Sequence, residues 1–212
     1  MSRRGRIGLK VAVWAGCLAP LGWLLYRAAA GELGANPIDL ITKHLGDWTL
    51  RFLLLALSMT PLRILCGLSW PITLRRVLGL FAFSYASLHF GVWLVLDHFF
   101  DWPEMGADIL KRPYITVGMT ALVLLLPLAA TSTSGMIKRL GAVTWRRLHR
   151  LAYVAGVLAV LHFLWLAKVG VTDPYYYAGG LGLVLGIRLW DAGRRRARRR
   201  RTAPGTAPAW RG

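Results

Sequence analysis

Cysteine is almost missing from this chain: Cys17 and Cys66 stand alone, with no CxxC pair and no CxxCH. A dithiol redox centre and a zinc knuckle are thereby unsupported, and the usual covalent attachment of a c-type haem is ruled out. Acidic residues are scarce too, nine against 27 lysines and arginines, for a net charge of +18. There is no Walker loop, GxGxxG fingerprint, nucleophile elbow or internal repeat, so phosphate-loop, dinucleotide-fold and hydrolase chemistries find no foothold. Long hydrophilic stretches are lacking as well. The one sizeable hydrophilic piece is the tail from about Asp191.

What fills the chain is apolar. Of its 212 residues 56% are hydrophobic, gathered into runs long enough to cross a bilayer. The expected fold is therefore an all-α polytopic membrane protein. Spans are predicted at roughly 9–26, 48–65, 77–98, 113–131, 148–168 and 175–190, a six-helix transmembrane bundle. No cleavable signal pattern precedes the first. The segments before span one, between two and three, between four and five, and after six, with the adjoining span ends, hold 21 of the 27 basic residues. Eight of the nine acids, all but Asp191, lie at the other side. The positive-inside rule places the basic side and both termini in the cytoplasm.

Basicity of this kind is an orientation signal, with RRRARRRR available to anionic lipid, and no nucleic acid is expected as a partner. The chain divides into a membrane domain, 1–190, and a basic disordered tail, 191–212. The second span is the weakest, with Arg51 near its outer end and Pro61 near its inner end. Were it not to cross, the later loops would invert against the charge bias. The preceding segment 37–45 reads as a separate interfacial helix.

Histidine carries the functional signal. His89 follows Arg76 at the same interval as His162 follows His149. Spans three and five run the same way, so both histidines sit about 20 Å up their helices. Paired neutral imidazoles from two helices are the usual protein side of a six-coordinate haem iron. Small residues suit a flat macrocycle: Ala82, Ser84, Ala86, Ser87 and Gly91 about His89, and Ala155, Gly156 and Ala159 before His162. Zinc would need a third or fourth donor at that depth, and none is visible. The bland alternative is a pair of histidines bonding neighbouring helices.

His149 lies about 140° around an ideal helix from His162, so the two share a stripe only if the helix is irregular there. Its counterpart level on span three holds Arg75 and Arg76, which cannot replace an axial imidazole but can pair with a haem propionate, a flavin phosphate or a lipid. His149 either ligates a second haem or caps a cofactor, or is an interfacial histidine. His44 and His98 read as surface histidines.

Taken in order, LGANP (33–37), LLLALSMTPLR (53–63), RRVLGL (75–80), LH (88–89), KRPYITVG (111–118), TSTSGM (131–136), W..LH...Y (145–153) and H.LW (162–165) resemble the MsrQ (YedZ) family, within the ferric-reductase-like transmembrane group. The resemblance covers nearly the whole chain short of the arginine tail. It implies a bacterial inner-membrane location and b-type haem, one or two per chain, with FMN associated. It implies electron transfer from the quinone pool or a cytoplasmic flavin reductase to a periplasmic molybdopterin-containing methionine-sulfoxide reductase subunit, supporting repair of oxidised envelope proteins. Carried over residue by residue, the haem ligands fall on His89, His149 and His162. Related oxidases use two histidines on each of two helices, and Arg75 and Arg76 depart from that pattern. The rivals are a ferric reductase or oxidase-type subunit with a separate flavoprotein, and a haem-free transporter.

Overall fold

Prolines and short polar caps decide where the helices begin. In the computed structural model, which describes residues 3–166 and 171–202, α1 spans Arg3–Ala29 and α2 spans Pro37–Cys66. Pro37 lacks an N–H that a helix start would leave unpaired anyway, and the Asn36 side chain accepts from the Asp39 N–H at 3.2 Å. Gly67, at φ 69°, closes α2 in the left-handed conformation that only glycine takes without strain. Helix α3 (Pro71–Val92) runs on through a π turn, Trp93–Asp97. Then come α4 (Trp102–Lys111), capped by Asp101, and α5 (Pro113–Ala130). Helix α6 (Ser134–Leu148) is capped by Thr133, and α7 (Leu151–Leu166) and α8 (Asp173–Thr202) complete the chain. Among the described residues there is no strand.

Four of these helices are long and apolar enough to cross a membrane: α1 from Ile7, α2, α3 with its π turn, and α5. The α6–α7 pair, bent by 42°, makes a fifth if read as one span. The sixth, expected at 175–190, does not reach that measure, because tyrosines, glycines and Arg188 dilute the apolar part of α8. Val11, Leu18, Leu25, Val123 and Leu126 are exposed on the helix exteriors, where lipid rather than water accounts for them. The chain is a multi-pass helical membrane protein.

Two expected boundaries shift. The interfacial helix 37–45 is not separate, since α2 runs unbroken through it. Its charged residues are stitched along the same helix, Lys43 to Asp39 at 2.7 Å and Arg51 to Asp47 at 3.8 Å, so the polar stretch does not end the helix. At the other end α8 continues past 191 to Thr202, and 203–212 lie outside the described residues.

Helix α2 is the hub. It packs most extensively on α3 and also meets α1, α7 and α8, while α5 pairs with α7. Gly156 lets α7 approach α2: an added Cβ there would stand 2.9 Å from Leu57 Cδ1. Tyr85, almost fully buried, pins α1 beside Pro20, which lies inside that helix. Its hydroxyl donates to the Cys17 carbonyl at 2.8 Å and accepts from the Leu21 N–H at 3.1 Å. Those two backbone groups are four residues apart and would bond each other in a straight helix. Tyr85→Phe leaves both short of a partner in a place without water, and should cost about 1–3 kcal/mol. Thermal denaturation in detergent would register this, whereas an unchanged midpoint would mean that α1 recloses its own bond.

Candidate functional site

His89 and His162 arrive at one place from different helices, and each is seated in the same way. On α3, His89 Nδ1 donates to the Thr42 carbonyl of α2 at 2.9 Å. On α7, His162 Nδ1 donates to the Tyr114 carbonyl of α5 at 2.7 Å. A carbonyl can only accept, so each ring carries its proton on Nδ1 and keeps Nε2 as the lone-pair nitrogen. That is the tautomer of a metal-ligating histidine oriented by a backbone oxygen.

Four residues after each carbonyl stands a glycine. A Cβ at Gly46 would lie 3.1 Å from His89 Cε1, and one at Gly118 would lie 2.8 Å from His162 Nδ1. In a helix the side chain at i+4 shields the carbonyl at i, so the two glycines open the two carbonyls to the imidazoles. These seats are functional positions that sequence reasoning missed. Their signal was available, a glycine on the turn below the carbonyl in an otherwise bulky apolar span, but nothing along one chain shows which histidine fills the gap.

The two rings then stand 6.3 Å apart, centre to centre, with their planes at 83°. An imidazole binds a first-row metal at about 2.0 Å with its centre roughly 1.1 Å behind the nitrogen, so two axial imidazoles on one iron would stand about 6 Å apart. The separation fits a shared haem iron. Nearby polar side chains make no competing demand, because Ser84 and Ser87 bond the carbonyls of Leu80 and Phe83 on their own helix. Among the described residues no three His, Cys, Asp or Glu side chains are grouped to hold a metal ion, which leaves zinc without its ligand set.

Comparison with known proteins places the chain in a family. A family described as ferric reductase like transmembrane component matches residues 45–160. A protein of Rhodospirillum rubrum named protein-methionine-sulfoxide reductase heme-binding subunit MsrQ is 52% identical over 193 residues, covering 91% of this chain and 92% of its own length. Proteins of the same name from Herminiimonas arsenicoxydans (48% identical, 90% and 88% covered) and Caulobacter vibrioides (46% identical, 92% and 90% covered) are similar throughout. The chain belongs to the MsrQ family.

In this member of the MsrQ family His149 is not brought to the His89–His162 pair. It sits at the break between α6 and α7. Its ring stacks on Trp145 at 3.8 Å, Nδ1 lies 3.1 Å from the Trp145 carbonyl, and the Leu128 backbone also acts on the ring, although buried Nε2 makes no hydrogen bond of normal geometry. Arg75 acts electrostatically on His149 and also on Arg188 of α8. Arg76 is exposed. Arg188, a residue the sequence reading passed over, lies over the Tyr153 ring at 4.7 Å with its Nε buried and unpartnered. An arginine inside an apolar span was the available signal.

Two histidines read as superficial are not. His98 is 8% exposed, because the π turn swings it inward beside Asp108 of α4, 3.4 Å away. His44 is half-buried, stacked on Trp23 at 5.0 Å and bonded through Nε2 to the Pro20 carbonyl at 3.0 Å.

Proposed function

We propose that this chain is the haem-carrying membrane subunit of an electron-transfer system for methionine-sulfoxide reduction. The relatives' shared name, heme-binding subunit of a protein-methionine-sulfoxide reductase, supports the system. The observation that carries the haem assignment is the pair of imidazoles 6.3 Å apart, each with Nδ1 tied to a carbonyl. A b-type haem bound between His89 and His162 supplies a one-electron iron couple. The chain's own residues do the rest. Thr42 and Tyr114 fix the rings, the apolar helices exclude water, and burial with axial ligation sets the potential. A second haem would take His149 Nε2 as its protein ligand. Arg75 and Arg76 offer the charge for its propionates or for the phosphate of FMN.

Under this reading the bundle crosses the bacterial inner membrane six times, with α8 as the sixth span and both termini cytoplasmic. The 21-to-6 split of basic residues supports that orientation. Electrons enter from the quinone pool or a cytoplasmic flavin reductase and leave at the periplasmic face to a molybdopterin-containing catalytic subunit. The face expected to meet that subunit comprises 27–47, 99–112 and 169–174, of which 169–170 lie outside the described residues. Its 37–47 and 102–111 parts are helical, and Phe99, Trp102 and Leu110 are exposed there. No nucleophile or acid–base pair is needed for such a conduit. The test is reoxidation: adding the purified periplasmic reductase with a methionine-sulfoxide substrate should reoxidise dithionite-reduced haem, with no reoxidation when either component is omitted. Haem that stays reduced in the complete mixture would sever the link to methionine-sulfoxide repair.

A further inference from the structure

Arg188 stands on the inward stripe of α8. Tyr177, Leu181, Val184 and Arg188 follow one another at steps of four, three and four residues and so share one helix face. Leu181 and Val184 are buried, while Leu183, Leu189 and Trp190 are exposed on the rest of the helix. The guanidinium is therefore turned into the bundle and not towards lipid. Its Nη2 donates to the Leu57 carbonyl of α2 at 3.4 Å, its Cζ lies over the Tyr153 ring of α7 at 4.7 Å, and its Nε is buried without a partner. Tyr153 is four residues from His149 and nine from His162, so Arg188 meets α7 between the levels of the two histidines. Thr60, one turn beyond Leu57 along α2, also keeps a buried hydroxyl unpartnered.

A second cation shares this space. Arg75 of α3, half-buried, acts electrostatically on Arg188, and among the described residues neither forms an ion pair. The chain cannot supply the missing charge. Eight of its nine side-chain carboxylates lie towards the opposite end of the bundle, and the ninth, Asp191, is held by Arg195 at 2.8 Å. Two guanidinium groups in an apolar interior repel each other and are costly without an anion between them. Their forked N–H donors match the two oxygens of a carboxylate.

We infer that Arg188, together with Arg75, holds the propionate carboxylates of a haem bound in this bundle. The inference rests on the haem reading above and extends it to α8, a helix that carries no histidine. A lipid phosphate would be met by a guanidinium turned outward, and this one faces inward. Held beside the propionates, the two cations offset their negative charge and favour the ferrous iron, so they raise the reduction potential.

The test uses the full-length chain in nanodiscs, loaded with haem b or with haem whose two propionates are methyl esters, and reads haem loss to excess apomyoglobin. In the wild type the ester should leave at least about tenfold faster than haem b. Arg188→Leu should release haem b about tenfold faster than the wild type does, release the ester no faster than haem b, and show a lowered midpoint potential. Arg188→Lys, which keeps the charge, should fall between. A wild type that holds the ester as tightly as haem b would overturn the inference, whatever the variants do. So would an Arg188→Leu protein that loses both haems faster by the same factor, the mark of a merely structural arginine. Haem b that leaves the wild type about tenfold faster when phosphatidylglycerol is replaced by phosphatidylcholine would assign the arginines to a lipid phosphate instead. An Arg188→Leu protein that keeps haem b but loses FMN would assign them to a flavin phosphate. Each of these results leaves the histidine-bound haem standing, whereas wild-type protein that takes up no haem would remove that reading as well.

Discussion

His162→Ala and His89→Ala should each abolish the low-spin haem between α3 and α7 while the chain still inserts. Each ring is held by one backbone carbonyl and stands 6.3 Å from its partner. Truncating either removes one axial nitrogen from the pair. The bound haem should fall at least about tenfold at this site, read as pyridine haemochrome per chain. His149→Ala, at a different level of the bundle, should leave the His89–His162 signal in place. Variants that retained full low-spin haem after both substitutions would remove the axial assignment.

Gly118→Ala is expected to weaken haem retention about 10–100-fold, although it adds a single methyl group and touches no ligand atom of the iron. The new Cβ would stand 2.8 Å from His162 Nδ1 and 2.9 Å from Cε1, closer than real Cβ contacts come. The imidazole must then leave the Tyr114 carbonyl or the two helices must part. Gly46→Ala makes a graded comparison, since its Cβ would meet His89 at 3.1–3.2 Å, a distance a ring can accommodate by a few tenths of an ångström. Its effect should be smaller and fall mainly on the reduction potential, because the Thr42 hydrogen bond sets how basic that ligand is. Gly182→Ala, where an added Cβ meets nothing within 4 Å, supplies the baseline. Equal haem content in all three would show that the glycines do not act as seats.

The histidine pair was legible along the chain because depth in a membrane helix is a matter of counting residues. A helix rises by a fixed amount per residue, so equal intervals from Arg76 to His89 and from His149 to His162 give one level on two helices running the same way. What could not be counted was the partner across the helix. Gly46 and Gly118 look like packing glycines, and only the pairing of α2 with α3 and of α5 with α7 shows what each one faces. The single α2 was obscured by its own charges. Asp39, Lys43, Asp47 and Arg51 suggest an interface, yet they repeat every four residues and bond along the helix. His98 was misread because a π turn adds a residue to the turn and redirects everything beyond it, which no apolar periodicity records. Arg188 was passed over because it is one among 27 basic residues and was counted with the orientation signal.

The most direct measurement is low-temperature electron paramagnetic resonance of the oxidised, purified protein, paired with near-infrared magnetic circular dichroism to identify the axial ligands. Rings at 83° predict a ferric low-spin signal of the strongly anisotropic, large-g type, with bis-imidazole charge-transfer bands, lost in His89→Ala and in His162→Ala. A high-spin signal alone, or a low-spin signal whose charge-transfer bands belong to another ligand pair and survive both substitutions, would contradict the account.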